Sequence, residues 1–294
     1  MRQSSTCIST SEWQLALLAP STFCVPHSFL NHAVLPDFYD HLLAGLQRLR
    51  GRVYLEDGAV ERWQLTLDGR HKSEVDERSW HILAVSPRGE VLGCARYLPY
   101  PKTVHFAQLT ASRAALARNS QWGEKLEAAV EEEVAWARLR GIGFVEVGGW
   151  ALAHEIRCSM AALKIALASY SLARILGGCV SICTATLRHG SATMLRRVGA
   201  TSIRFGREEM PPYFDPQYKC QMEILRFDSS APNPKYEKAV EEIRVALLAA
   251  PVVSRISGLG QLQAAVGSSD VRFGAPLHPV EPEIPYLEWA RALE

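Results

Sequence analysis

The chain is poor in the features that assign a protein quickly. No run of about 18 apolar residues occurs, the length a helix needs to cross a bilayer; the nearest candidate, residues 160–176, carries Lys164 and Arg174 and reads as a buried helix. No basic start followed by an apolar block opens the sequence, so no secretory leader is expected. Charge of one sign is also lacking: 32 basic residues against 31 acidic ones leave +1, too little to draw the whole chain to nucleic acid or to a membrane surface. The seven cysteines, at 7, 24, 94, 158, 179, 183 and 220, form no C-x-x-C and no Cys/His spacing of a zinc site. The expectation is buried thiols in a reducing cytoplasm, with no metal. No G-x-S-x-G elbow is present, which argues against a hydrolase.

What is present is a chain of 294 residues, 48% hydrophobic and 21% charged, ample for a sizeable core. Residues 1–35 show no clear period. Residues 37–49 read as a helix, with Leu42, Leu43, Leu46 and Leu49 on one face, and 52–55 as a short strand. Two apolar runs, 81–85 and 91–98, flank the turn residues Pro87, Arg88, Gly89 and Glu90, and together predict a β-hairpin. Then come a helix over 123–140, a strand over 143–153, a long apolar helix over 160–176 and a strand over 180–186. A short helix over 191–198, strands over 201–205 and 220–227, and a helix over 236–249 complete the order. Strands first and βαβ units later predict an α/β fold with a mixed sheet, antiparallel at its start and parallel in its middle, flanked by helices. The division expected is an irregular lead-in (1–35), one main domain (36–228), and a C-terminal helix and tail (229–294).

Several charged residues in this frame are not needed by it. Asp76 stands just before the hairpin and Arg96 inside its second strand; they predict either a mutual ion pair or a site for a carboxylate, which an arginine fork grips in two parallel hydrogen bonds. His81 either orients Asp76, relays a proton, or is a satisfied core histidine. Gly148 and Gly149 interrupt the 143–153 strand, the mark of a bulge or of a close approach to the backbone.

The order of elements resembles that of the GNAT acyltransferase superfamily, and particular residues carry the resemblance over about 40–228. Arg50-Gly51-Arg52-Val53-Tyr54 is similar to the Arg-x-x-x-Phe/Tyr start of the acyl-homoserine-lactone synthases. Asp76-Glu77-Arg78-Ser79-Trp80-His81 resembles the Asp-x-x-Ser-x-His signature of the long-chain N-acyl amino acid synthases, and exosortase-associated acyltransferases have a similar stretch. Gly93-Cys94-Ala95-Arg96-Tyr97-Leu98-Pro99 resembles their Gly-x-x-Arg-Leu-Leu-Pro segment, and Glu146-Val147-Gly148-Gly149-Trp150-Ala151-Leu152 their Glu-x-Ser-Arg-Phe-Ala-Val strand. Tyr213-Phe214-Asp215-Pro216-x-Tyr218, followed by Cys220-x-Met222-Glu223, is also familial in look.

The resemblance implies a GNAT-like fold and transfer of an acyl group from a thioester, acyl-CoA or acyl-carrier protein, to the amine of an amino acid or similar small acceptor. It implies no tightly bound cofactor. An alternative is an acyl-homoserine-lactone synthase, which would use S-adenosylmethionine; another is a non-catalytic acyl- or partner-binding module. Glu146 is the expected base for the amine, or else an ion-paired glutamate at a strand end. Gly148 and Gly149 are the expected backbone donors to the thioester oxygen, or else a bulge needed only for twist. Arg50, Tyr54, Asp76, His81, Arg96 and Trp150 are expected around the substrate, and Arg157, Ser159, Ala162 and Lys164 on the donor side. Arg157, Lys164 and Arg174 form either a basic edge for an acidic carrier protein or a solvated helix face. An apolar slot for the acyl chain is expected among Trp150, Tyr170 and Met194. Two positions depart from the family pattern: Gly149 stands where an arginine is expected, and Met160 replaces the central glycine of the pyrophosphate loop, here Arg157-Cys158-Ser159-Met160-Ala161-Ala162. Either the donor is a carrier protein, whose arm lacks the CoA diphosphate, or the site is inactive.

Overall fold

The computed structural model describes residues 13–22, 24–157 and 159–256, with the main chain alone for His189. Its elements run β1 (Gln14–Leu18), β2 (Asn31–Val34), α1 (Pro36–Glu56), β3 (Trp80–Val85), β4 (Val91–Tyr100), α2 (Gly123–Leu139), β5 (Gly143–Leu152), α3 (His154–Arg157), α4 (Ala161–Ile175) and β6 (Cys179–Thr186). There follow α5 (Ser191–Val198), the two-residue strands β7 (Thr201–Ser202), β8 (Arg204–Phe205) and β9 (Glu208–Glu209), then β10 (Tyr213–Asp215), β11 (Cys220–Asp228), α6 (Glu237–Ala249) and β12 (Pro251–Ser254). The main sheet has the order β10-β11-β6-β5-β4-β3-β1-β12-β2, with β7 beside β11. The hairpin β3–β4 and the β4–β5 pair are antiparallel, and β5–β6 is parallel. The expected mixed α/β sheet flanked by helices is therefore found.

Alternation along the strands sorts the core by face. Ala16, Leu18, Leu83, Val85, Cys94 and Ala151 pack with Leu42, Leu46 and Leu49 of α1. Their neighbours Leu17, Ile82, Ala84 and Ala95 pack on the opposite face with Ile165, Ala168 and Leu172 of α4. Further along the first face, Phe144, Val180 and Ile182 meet Leu126, Val130 and Val134 of α2. Helices α1 and α2 thus share one face of the sheet, and the site lies between their two apolar clusters.

Three expectations need correction. Residues 52–55 are the last turns of α1, not a strand, because Val53 continues the buried stripe of Leu46 and Leu49. The lead-in contains β1, paired with β3 on one side and β12 on the other. The segment past Asp228 contains β12, which lies between β1 and β2. Both β1 and β12 are covered on both faces, so they show short apolar runs instead of an alternating pattern. Among the described cysteines, Cys94, Cys179, Cys183 and Cys220 are buried free thiols, and Cys24 is exposed; Cys7 and Cys158 lie outside the described residues, as does the tail beyond 256. No described helix is long and apolar enough to cross a membrane.

Candidate active site

Two irregularities in β5 open the sheet. Its pairing with β6 runs from Gly143↔Cys179 to Glu146↔Ile182 and stops there. From Val147 onward β5 stays with β4, while β6 continues beside β11 up to Thr186. The two parallel strands therefore diverge, and the β6-facing main chain of β5 beyond Glu146 has no ladder partner. The second irregularity is a bulge: Arg96 faces Gly148 and Cys94 faces Ala151, so three steps on β5 match two on β4. Gly149 takes up the extra residue with φ +60°, a conformation that costs glycine nothing and strains other residues. A Cβ there would also lie 3.0 Å from Arg96 Cβ and 3.3 Å from Arg50 Nη1. Glycine at 149 is thus imposed by the bulge and by the two arginines crowded against it.

A row of paired residues, His81–Arg96–Gly148, crosses β3, β4 and β5 at this level. The expected Asp76–Arg96 pair does not form. Asp76 instead faces Arg50: Nη1 donates to Oδ1 at 2.8 Å and Nη2 to Oδ2 at 2.5 Å, with both side chains 1% exposed. Gln47 Nε2 and the Ser73 N–H each add a bond to Oδ2 at 3.0 Å. Burial pushes the Asp76 carboxyl up, but the Arg50 hydrogen bonds and charge outweigh it and hold it at about 2. His81 Nε2 meets the Asp76 carbonyl at 2.9 Å, and complete burial drives the ring down to about 4 against the pull of Asp76. Arg50, Asp76 and His81 thus form a closed structural knot joining α1 to the hairpin. Arg50, expected to hold substrate, is occupied there.

Arg96 is left over. Its Nη1 donates to Ser73 Oγ at 3.2 Å, its Nε is enclosed without a partner, and among the described residues no carboxylate pairs with it. Above it, Tyr54 lies edge-on to His71 and to Tyr218, at 5.3 and 6.4 Å between ring centroids. The motif reading singled out Tyr54 and passed over His71, which belongs to a polar segment with no motif. Spatially it is fixed by α1, whose Gly51 lets the 69–71 loop press onto the helix: a Cβ on Gly51 would sit 2.1 Å from Gly69 O.

Glu146, expected as the base or else as an ion-paired glutamate, is held by hydrogen bonds from the 100–111 segment. Oε1 accepts from the Ala111 N–H at 2.7 Å; Oε2 accepts from the Thr110 N–H at 2.8 Å and from the Tyr100 hydroxyl. The residue is 3% exposed. Its carboxylate gathers the three one-turn helices at 106–118 onto the sheet, with three hydrogen bonds accepted in doing so.

On the opposite face, Trp150, Tyr97, Val147, Tyr170, Leu195 and Phe227 line an apolar cavity beneath the divergent strands. Its volume, about 20 Å³, is room for about one water molecule. Met194 packs in the same cluster but not on the cavity wall. The expected donor residues are more scattered in role. Ser159 Oγ accepts from the Ala161 N–H at 3.1 Å and starts α4. Ala162 is in the first turn, and Met160 is 53% exposed. Arg157 Nε holds the Leu152 carbonyl at 3.1 Å, and Lys164 lies 5.3 Å over the Trp13 ring. Arg174 does not join them on a docking edge: it grips Glu237 with both Nη atoms, at 2.6 and 3.0 Å, and holds α6. No group of three or more potential metal ligands occurs among the described residues.

No protein-family model matches the sequence, and no curated protein does. Solved structures similar to this chain include BjaI, a CoA-dependent acyl-homoserine lactone synthase with SAM and isopentyl-CoA, at 12% identity over 86% of this chain and 99% of that one, with a TM-score of 0.49. The acyl-homoserine lactone synthase LasI is 18% identical over 65% of this chain and 84% of its own, with a TM-score of 0.42. FeeM, an N-acyl amino acid synthase from uncultured soil microbes, is 13% identical over 76% and 94%, with a TM-score of 0.40.

Proposed function

We propose that the protein is a GNAT-like N-acyltransferase that moves an acyl group from a thioester to the amine of a small carboxylate-bearing acceptor, such as an amino acid. The observation that carries this reading is the unpaired Arg96 beside the Gly149 bulge where β5 and β6 part. A half-buried guanidinium with no acidic partner among the described residues suits an anion, and its fork matches a carboxylate. The main chain of β5 that faces β6 at the bulge, which has no ladder partner beyond Glu146, suits the oxygen on which charge grows as the amine attacks. The apolar cavity at Trp150 marks the path for an acyl chain, which would displace side chains to enter so small a space.

The test supplies purified protein with decanoyl-CoA or decanoyl-acyl-carrier protein and a mixture of amino acids, and looks for N-decanoyl amino acids by mass spectrometry. Amide from one donor identifies the thioester used. Arg96→Ala should raise the acceptor KM at least tenfold and leave the donor KM unchanged. No amide and no thiol release with either donor sinks the reading in favour of a non-catalytic module. A lactone formed only with added S-adenosylmethionine would redirect it to acyl-homoserine-lactone synthesis.

A further inference from the structure

Amide formation needs a base, because the attacking nitrogen must shed a proton. Three of the acidic or basic groups around the bulge are already committed. Glu146 accepts three hydrogen bonds, Asp76 is saturated by Arg50, Gln47 and Ser73, and His81 is enclosed against the Asp76 carbonyl.

His71 is different. Its main chain is held at both ends, the N–H donating to the Gln47 carbonyl at 3.0 Å and the carbonyl accepting from Arg50 Nη2 at 2.9 Å. Its ring is half-buried against Tyr54. Nδ1 is enclosed and has no hydrogen-bond partner, and no described residue bonds to Nε2. Nε2 is therefore the nitrogen free to meet a ligand. The Arg50 guanidinium that holds the His71 carbonyl through Nη2 presents Nη1 within 3.3 Å of where a Gly149 Cβ would lie. One guanidinium group separates the His71 backbone from the bulge.

Resting on the acyl-transfer reading above, we propose that His71, and not Glu146, is the general base of this site. The amine nitrogen attacks the thioester carbon, forming the N–C bond as the carbonyl electron pair moves onto oxygen. His71 Nε2 takes the proton from that nitrogen. The carbonyl re-forms, the C–S bond breaks, and the imidazolium returns the proton to the departing thiolate, giving amide and thiol. The groups facing His71 are Arg50 and Tyr54 from α1, Asp76 from the turn before β3, and Arg96 from β4. Burial and the Arg50 charge, with Arg96, lower the ring below its usual 6.5 against the pull of Asp76. The ring is therefore neutral, and able to accept a proton, at pH 7.

The test compares wild type with His71→Ala in the decanoyl-thioester assay, with and without imidazole. The expected result is a loss in kcat of about a hundredfold or more, partial rescue by imidazole, and disappearance of the acid limb of the kcat/KM profile. A structural histidine would not be rescued by imidazole. A second measurement, NMR titration of the His71 ring in the resting wild-type protein, should find it neutral at pH 7; a protonated ring there overturns the proposal irrespective of how the variant folds. If wild type forms amide and His71→Ala is equally fast, or is slow and indifferent to imidazole, the proposal fails alone. If wild type forms no amide, the acyl-transfer reading fails and takes the proposal with it.

Discussion

Arg50 and Asp76 meet through two parallel hydrogen bonds, one on α1 and the other 26 positions later, before β3, and neither side chain touches water. Two charges removed from solvent attract strongly, but most of that gain offsets the cost of their burial. Removing one partner leaves the other charged and alone. Arg50→Ala or Asp76→Asn should each lower stability by about 3–5 kcal/mol, read from urea midpoints. The double variant Arg50→Met/Asp76→Leu should lose much less than the sum of the singles. Additive losses would show that the pair is not a coupled unit.

Acid should weaken the fold in two stages. His81 has a pKa of about 4 when folded, against an ordinary 6.5, so between those values the unfolded chain binds more protons. The stability His81 supplies is full above pH 6.5 and is lost as pH falls towards 4. Asp76 acts lower: its contribution is full above its ordinary 3.8 and is lost as pH falls through about 2. Urea midpoints measured from pH 7 to pH 2 should fall across both windows. His81→Gln should make the upper slope shallower and leave the lower one in place.

Glu146→Gln places an amide where a carboxylate now accepts from two backbone N–H groups and the Tyr100 hydroxyl. One side-chain acceptor becomes a donor aimed at donors, at a cost of about 1–3 kcal/mol. The loosening should be local. Hydrogen exchange should accelerate over 106–118, which Glu146 fastens, before it does so in β3 or β4.

Gly51→Ala separates helix propensity from site geometry. Alanine favours the α1 interior by about 1 kcal/mol, yet its Cβ would fall 2.1 Å from Gly69 O. The 69–71 loop must retreat and carry His71 with it. Activity should fall more steeply than stability, which a paired kcat/KM and thermal-melt measurement would detect.

Most of the frame was legible because its elements are long and strongly patterned: α2, α4 and the β3–β4 hairpin appear where periodicity places them. The short strands β1 and β12 were not, since five or four apolar residues fit a strand or a helix segment equally well. The site was legible in its residues more than in its pairings. Asp76, His81, Arg96 and Gly148 do come together, but no spacing in the chain reveals that Asp76 chooses Arg50 over Arg96, which depends on how α1 crosses the sheet. The partners of Glu146 were hidden for a similar reason: two of them are backbone N–H groups at 110 and 111, and main-chain donors leave no mark in a sequence. His71 lay in a polar segment without period or motif, and its place is fixed by α1 contacts far back in the chain, at Gln47, Arg50 and Gly51.

The placement of β12 governs how the molecule is put together. Asn31 of β2 pairs with Pro251 of β12, and among the described residues β12 alone connects β2 to β1. During synthesis the hairpin, the bulge and the arginine cluster can all assemble while β1 still shows a bare edge. That edge, a template for wrong partners, is covered only when residues 251–254 leave the ribosome. The sheet is completed by a long-range closure of the kind that slows folding. Cleavage just before Pro251 should therefore leave the site's elements intact on a protein that self-associates through β1.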